Sequence, residues 1–406
     1  MTGPLSHVRV LDLSRILAGP WASQILADLG ADVIKVERPV VGDDTRAWGP
    51  PFLKDSGGLD TKESGYYLSV NRGKRSVTVG IDKPEGQAIV RELVRDVDIV
   101  LENYKVGTLA RYGLAYEDLK AINPKLIFCS VTGFGQTGPR ADQAAYDFMI
   151  QGLGGLMSIT GERDGRPGAG PQKVGVPIVD LMTGMYAAIA VLAALARRDV
   201  SGQGECIDIA MLDVQVATLA NQAMNFLVSG KEPVRMGTSH PNIQPQDVYA
   251  CRDGDMVLAV GNDSQFIKFC VALDLANLAL DERFIKNASR VRNLAVLRPL
   301  IAARLVEEDR AYWVAKLDEA GVPAGPINSI SEVFQEPQVK HRNMLVNIEH
   351  PLSGTVPSVG SPMRFQQAPL VHDRAPPLLG EHSDDILHSI GFNDARIAQL
   401  RQNGVV

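Results

Sequence analysis

Apolar positions in the first 150 residues switch between two periods. "HVRVLDLS", "ADVIKVE", "SVTVGI", "VDIVLEN" and "KLIFCSVTG" are short, β-branched runs bounded by Gly, Pro, Asn or Asp. Such runs predict strands. Between them, "PWASQILADLG", "KPEGQAIVRELVRD" and "YEDLKAINP" place apolar residues at helical spacing, the first with Pro20 in its opening turn. Strands alternating with helices imply parallel βαβ units in a doubly wound, Rossmann-like α/β sheet. Such sheets take ligands in the crevice beyond the strand carboxyl ends. Arg15 to Gly19, Glu37 and Arg38, Asn103 and the loop after Thr132 fall there.

The pattern then changes. A Gly/Pro-rich stretch from Gly152 to Pro177 leads into a β-branched run read as a strand ending at Asp180, and an Ala-rich apolar helix pattern follows at once. Beyond Phe226, "MVLAVGNDSQFIKFCVALDL" reads as a strand then a helix, and helical patterns continue through "AYWVAKLDEAGVP". From His341 the tail is Pro-rich, then helical at "SDDILHSIG". A chain of 406 residues exceeds what one core serves. We expect a large Rossmann-like domain from 1–225, completed by 340–406, and a smaller α+β domain from 226–339.

Composition narrows the partners. With 45% hydrophobic and 22% charged residues this is an ordinary globular chain, and a net charge of −6 argues against nucleic acid or an anionic membrane. Cys129, Cys206, Cys251 and Cys270 are scattered without C-x-x-C or zinc-like His spacing, so we expect reduced thiols, a cytoplasmic location and no metal. No signal peptide pattern precedes the first strand run. The longest apolar run, Leu181 to Ala196, is shorter than the roughly 20 residues that span a bilayer and reads as a core helix.

Familiar chemical motifs are mostly missing. Glu37 sits where a dinucleotide fold places its ribose-binding acid, but the first turn reads "SRILAGP" and lacks G-x-G-x-x-G. "NRGKRS" resembles the end of a P-loop without the upstream glycine. Neither G-x-S-x-G nor H-E-x-x-H occurs. Arg38, Arg46, Arg72, Lys74, Arg75 and Arg111 fall in or beside first-domain loops, which suggests a polyphosphate ligand such as coenzyme A. Asp180, at the junction before the long helix, reads as an N-cap or as an ionised nucleophile, and the two roles are compatible. With an ordinary pKa of about 3.9, an Asp needs no base to be ionised at neutral pH.

The chain resembles the class III (CaiB/BaiF) coenzyme A transferases nearly end to end. The resemblance rests on "VLDLSRILAGPWASQILADLGADVIKVERP", "GDDTR", "NRGKRSV", "DIVLENYKVGTLARYGL", "PKLIFCSVTGFGQTGPR", "YDFMIQGLGGLMSITG", "VDLMTGMYAAIAVLAAL", "GQGECIDIAML" and "APPLLGEHSDDIL". It implies that Asp180 is the nucleophile, forming an aspartyl anhydride and then an aspartyl-CoA thioester. Backbone N–H groups at the helix start and in the Gly loops would stabilise the oxyanions.

The resemblance also carries CoA contacts onto Leu17, Ala18, Arg38, Val79, Gly80, Ile81, Asp82, Asn103, Tyr104, Lys105, Arg111, Ala144, Ala145, Tyr146 and Asp147. It implies coenzyme A or acyl-CoA as substrate, no permanently bound cofactor and an interlocked, ring-like homodimer. Leu17 and Ala144 replace the Gln and Lys of the formyl-CoA branch, and its tetraglycine loop is missing, which weighs against formate or oxalate. α-Methylacyl-CoA racemases share the fold, but their His–Asp dipeptide is Tyr146–Asp147 here, and Tyr is a poor base at neutral pH. A CoA-binding protein without activity is the remaining alternative. "GDDTRAWGPPF", "ESGYYLSVNR", "QEPQVKHRNM" and "RAPPLLGEH" are most similar to the succinyl-CoA:glutarate branch.

Overall fold

In the computed structural model, which describes residues 3–406, the alternating runs form strands β1 (Arg9–Asp12), β2 (Asp32–Glu37), β3 (Lys74–Thr78), β4 (Ile99–Glu102) and β5 (Ile127–Thr132). A further strand, β6 (Glu205–Ala210), extends the sheet beyond the pattern read from sequence. Its run, ECIDIA, sits at the sheet edge and carries Glu205 and Asp208, so it lacks the apolar continuity of a strand covered on both faces. All neighbours pair in parallel, in the order β3-β2-β1-β4-β5-β6. That order reverses direction between β1 and β4, and the crevice at such a reversal is where doubly wound sheets bind ligands.

Strand alternation sends side chains into two cores. Val10, Val33, Ile99 and Leu101 join Ala22 and Leu26 of the helix Ala18–Asp28 and Ala187 and Val191 of the helix Ile178–Ser201. Leu11, Ile34, Val36 and Val100 join Ile89 and Leu93 of Pro84–Val94 and Ile386 and Leu400 of the C-terminal helices Ser383–Ser389 and Asp394–Gln402. Burying each large apolar side chain contributes about 1.5–3 kcal/mol, so the sheet is held from both faces. Among the described residues, Ile178–Ser201 is the one helix long and apolar enough to cross a membrane. Its face of Val179, Thr183, Ala187, Val191 and Leu195 is buried, as a core helix requires.

Two compact units emerge. The first takes residues up to Leu156, Val174–Met224 and Pro337–Val406, and so contains the parallel sheet. The second takes Met157–Lys173 and Asn225–Glu336. Its antiparallel sheet runs Ala324–Pro326, Gly254–Ala259, Gln246–Cys251, with Phe266, Phe269 and Trp313 in the core beside it.

Candidate active site at the sheet reversal

The segments that leave β1 and β4 are tied together at the reversal. Arg15 N donates to Asn103 Oδ1 at 2.8 Å, and Asn103 Nδ2 donates to the Arg15 carbonyl at 2.6 Å. Beside this link lies a cavity of about 240 Å³. Leu17 and Ala18, Asn103 to Lys105, Thr132 and Gly133, Ala144 to Tyr146, and Asp180 all line it. Arg15 to Ala18, Asn103 and the segment at Thr132, read from the strand ends, therefore share one space with Asp180, while Glu37 is instead buried against Arg46.

The other expected contact residues stand away from this cavity. Arg38 is exposed and pairs with Asp44 at 2.5 Å. Val79, Gly80 and Ile81 are buried after β3, where Gly80 N donates to the Val405 carbonyl at 2.7 Å, and Asp82 is exposed. Arg111 is exposed, its Nη2 3.5 Å from Thr108 Oγ1. Asp147 is buried and takes a different role, described below.

The region around Asp180 differs from the sequence reading in three respects. No strand precedes Asp180: the helix begins at Ile178, its N-cap is Pro177, and Asp180 lies in the first turn. Asp180 is therefore not the cap. Asp147 does that work from another segment, its Oδ2 accepting from Val179 N at 2.7 Å and Asp180 N at 3.2 Å. Its Oδ1 accepts from Gln151 Nε2 at 2.5 Å, and Gln151 Oε1 accepts from Val174 N at 2.9 Å, so the approach to the helix is braced as well.

Second, the first-turn donors are already used, since Ile178 N also bonds the Val176 carbonyl. The N–H groups at this helix start do not supply the oxyanion donors expected of them. Third, Asp180 is not an ordinary ionised carboxylate. Burial and the negative Asp147 push its pKa up to about 7.

The basic cluster is also redistributed. Arg46 is buried against Glu37 at 2.8 Å and Glu63 at 2.7 Å, and Arg72 against Asp28 at 2.7 Å. Lys74 meets Asp12 at 3.1 Å, and Arg75 meets Asp32 at 2.6 Å. These four are internal ion pairs rather than a phosphate cradle. Their partners lie on other elements, 9 to 62 residues away, so loop position alone misreads them.

The structure adds two groups near the site that carry no motif. Glu102, buried at the end of β4, accepts from Tyr104 N at 2.8 Å, and burial pushes its pKa up to about 7. Tyr66 packs edge-on against Trp48, ring centroids 5.0 Å apart, and burial with the charges of Asp180 and Asp147 pushes its phenol up to about 12.

Fold and site together define a class: a doubly wound α/β protein with a half-buried carboxylate in its ligand crevice. Residues 5–383 match the profile of CoA-transferase family III. The chain is 50% identical over 384 residues, 95% of each chain, to an Agrobacterium fabrum protein named succinate–glutarate CoA-transferase. It is 43% identical over 404 residues to human succinyl-CoA:glutarate CoA-transferase, covering 99% of this chain and 90% of the relative. A crystal structure of a CaiB/BaiF family protein from Brucella suis matches with a TM-score of 0.84 at 48% identity, covering 96% of this chain and 100% of that one. The chain belongs to CoA-transferase family III.

Proposed function

We propose that this protein moves coenzyme A from succinyl-CoA to a dicarboxylate, glutarate foremost, with Asp180 as the nucleophile. The observation that carries the role of Asp180 is its place in the crevice cavity with a raised pKa. A carboxylate of higher basicity is the stronger nucleophile of its kind, and perturbed carboxylates cluster where chemistry is done. The substrate pair is carried over from the named activities of the two relatives.

The ionised Asp180 attacks the thioester carbonyl, the C–S bond breaks, and CoA thiolate leaves an aspartyl–succinyl anhydride. The thiolate attacks the Asp180 carbonyl, expels succinate and leaves an aspartyl-CoA thioester. Glutarate attacks that carbonyl in turn, giving a second anhydride and thiolate. Attack of the thiolate on the glutaryl carbonyl yields glutaryl-CoA and restores Asp180. One thioester replaces another, so catalysis must come from positioning and charge stabilisation rather than from driving force.

The large unit is the CoA-binding domain in this reading, with Leu17, Ala18, Asn103 to Lys105 and Ala144 to Tyr146 along the path of the acyl-CoA. The protein works as a homodimer, ring-like and interlocked. Phe148, Met149, Leu153, Met185, Tyr186 and Ile189 support a partner surface, because they leave apolar area exposed on the helices Asp147–Leu153 and Ile178–Ser201.

A chromatographic matrix of acyl-CoA donors against carboxylic acids tests the function. Succinyl-CoA with glutarate is expected to give the fastest transfer. Faster transfer to monocarboxylates than to every dicarboxylate overturns the substrate reading, and epimerisation of a 2-methylacyl-CoA without an acceptor acid overturns the transferase reading.

A further inference from the structure

Beneath the Ser14–Ala18 turn, whose residues Arg15 to Ala18 line the same cavity as Asp180, lies a string of charges closed off from solvent. Lys74 Nζ meets Asp12 Oδ2 at 3.1 Å, and Lys35 Nζ meets Asp43 Oδ2 at 2.9 Å, with all four side chains fully buried. Asp43 Oδ1 accepts from Thr45 N at 3.0 Å and Thr45 Oγ1 at 2.8 Å. Burial alone would raise the Asp43 carboxyl, but Lys35 and the Thr45 bonds bring it down to about 2, so it stays charged at working pH.

This string holds the turn by its backbone. Ser14 N donates to Asp12 Oδ1 at 2.9 Å, and the Ser14 carbonyl accepts from Lys35 Nζ at 3.0 Å. Asn103 takes both backbone groups of Arg15, and Asp43 Oδ1 accepts from Ile16 N at 3.3 Å. The backbone here needs holding. Ile16 has φ of 73°, a left-handed conformation that a β-branched residue adopts only when its surroundings over-determine it. The turn then delivers Ala18 against the helix of Asp180. A Cβ at Gly184, one turn beyond Asp180, would lie 2.5 Å from the Ala18 carbonyl oxygen.

We propose that the buried Lys35–Asp43 pair is a positioning device for the transfer reaction: with Asn103 it holds Ile16 left-handed and so fixes the Leu17–Ala18 wall relative to Asp180. The inference rests on the reading of Asp180 as nucleophile. A buried ion pair is a poor source of stability compared with apolar packing, and fixing one geometry is its better-attested use.

Steady-state transfer from succinyl-CoA to glutarate tests this with Asp43→Ala in two backgrounds, the natural chain and Ile16→Gly. In the natural chain the substitution should lower kcat about 10²-fold, the scale of a 1 Å misplacement, with KM changed far less. Glycine adopts positive φ unaided, so in the Ile16→Gly background the same substitution should cost at least about tenfold less.

Equal losses in both backgrounds, or natural kcat in Asp43→Ala, overturn the proposal. A merely structural role lowers the folded fraction and leaves kcat per folded site unchanged, which also overturns it. Where Asp43→Ala alone does not fold, Lys35→Met/Asp43→Ala leaves no unpaired charge and is read by the same comparison. Normal turnover in Asp180→Ala would defeat the nucleophile reading separately, while the Asp43–Ile16 coupling is still read from the same kinetics.

Discussion

Asp180 is asked to be both reactive and half-buried, and its neighbour Asp147 helps decide how readily it ionises. Asp147 caps the helix that carries Asp180 while its charge, after burial, opposes ionisation of Asp180. Since only the carboxylate attacks, kcat/KM should rise with pH through about 7 and level off above it. Asp147→Asn removes that charge and should move the acid limb to lower pH; a pH–rate profile with an unmoved limb would refute the coupling. The same shift has a consequence for stability. Asp180 binds its proton more tightly folded than unfolded, so stability falls as pH rises from about 4 to about 7 and the deficit is complete above that. Asp180→Asn should therefore abolish transfer yet raise the thermal midpoint at pH 8 by a few degrees, on the order of 1–3 kcal/mol, with the gain fading toward pH 4. Calorimetry at both pH values checks the sign.

At the scale of elements, the site depends on how closely the helix Ala18–Asp28 approaches Ile178–Ser201. Gly184 permits that approach, because a Cβ there would lie 2.5 Å from the Ala18 carbonyl oxygen and 3.0 Å from the Trp21 side chain. Gly184→Ala should cost about 1–3 kcal/mol and lower kcat as the helices part, read by thermal melting and turnover. The sequence announced these helices, five of the parallel strands and the crevice at their ends, because periodicity and βαβ alternation are local signals. It did not announce β6, whose edge position breaks the apolar pattern, nor the helix start at Ile178. Asp147 as the cap of another segment's helix, and Lys35 with Asp43 under the Ile16 turn, were illegible for a different reason. Each acts across 30-odd or fewer residues of intervening chain through contacts that only the fold creates, and no spacing rule marks them. Arg46, Arg72, Lys74 and Arg75 misled for the same reason, since their carboxylate partners are brought to them by the sheet.

At the scale of the whole molecule, the proposed homodimer would cover the apolar residues left exposed on the helices beside Asp180. Light scattering at assay concentration should give a homodimer; a stable, active monomer would contradict it. Covalent chemistry at Asp180 is what the proposed transfer requires, and one measurement reaches it directly. The enzyme is incubated with succinyl-CoA without acceptor, treated with borohydride to reduce an activated aspartyl carbonyl, digested and mapped by mass spectrometry. Reduction confined to Asp180, dependent on acyl-CoA, is the predicted result. An unmodified Asp180 peptide from enzyme that turns over normally, or a label on another residue, would contradict Asp180 as the nucleophile.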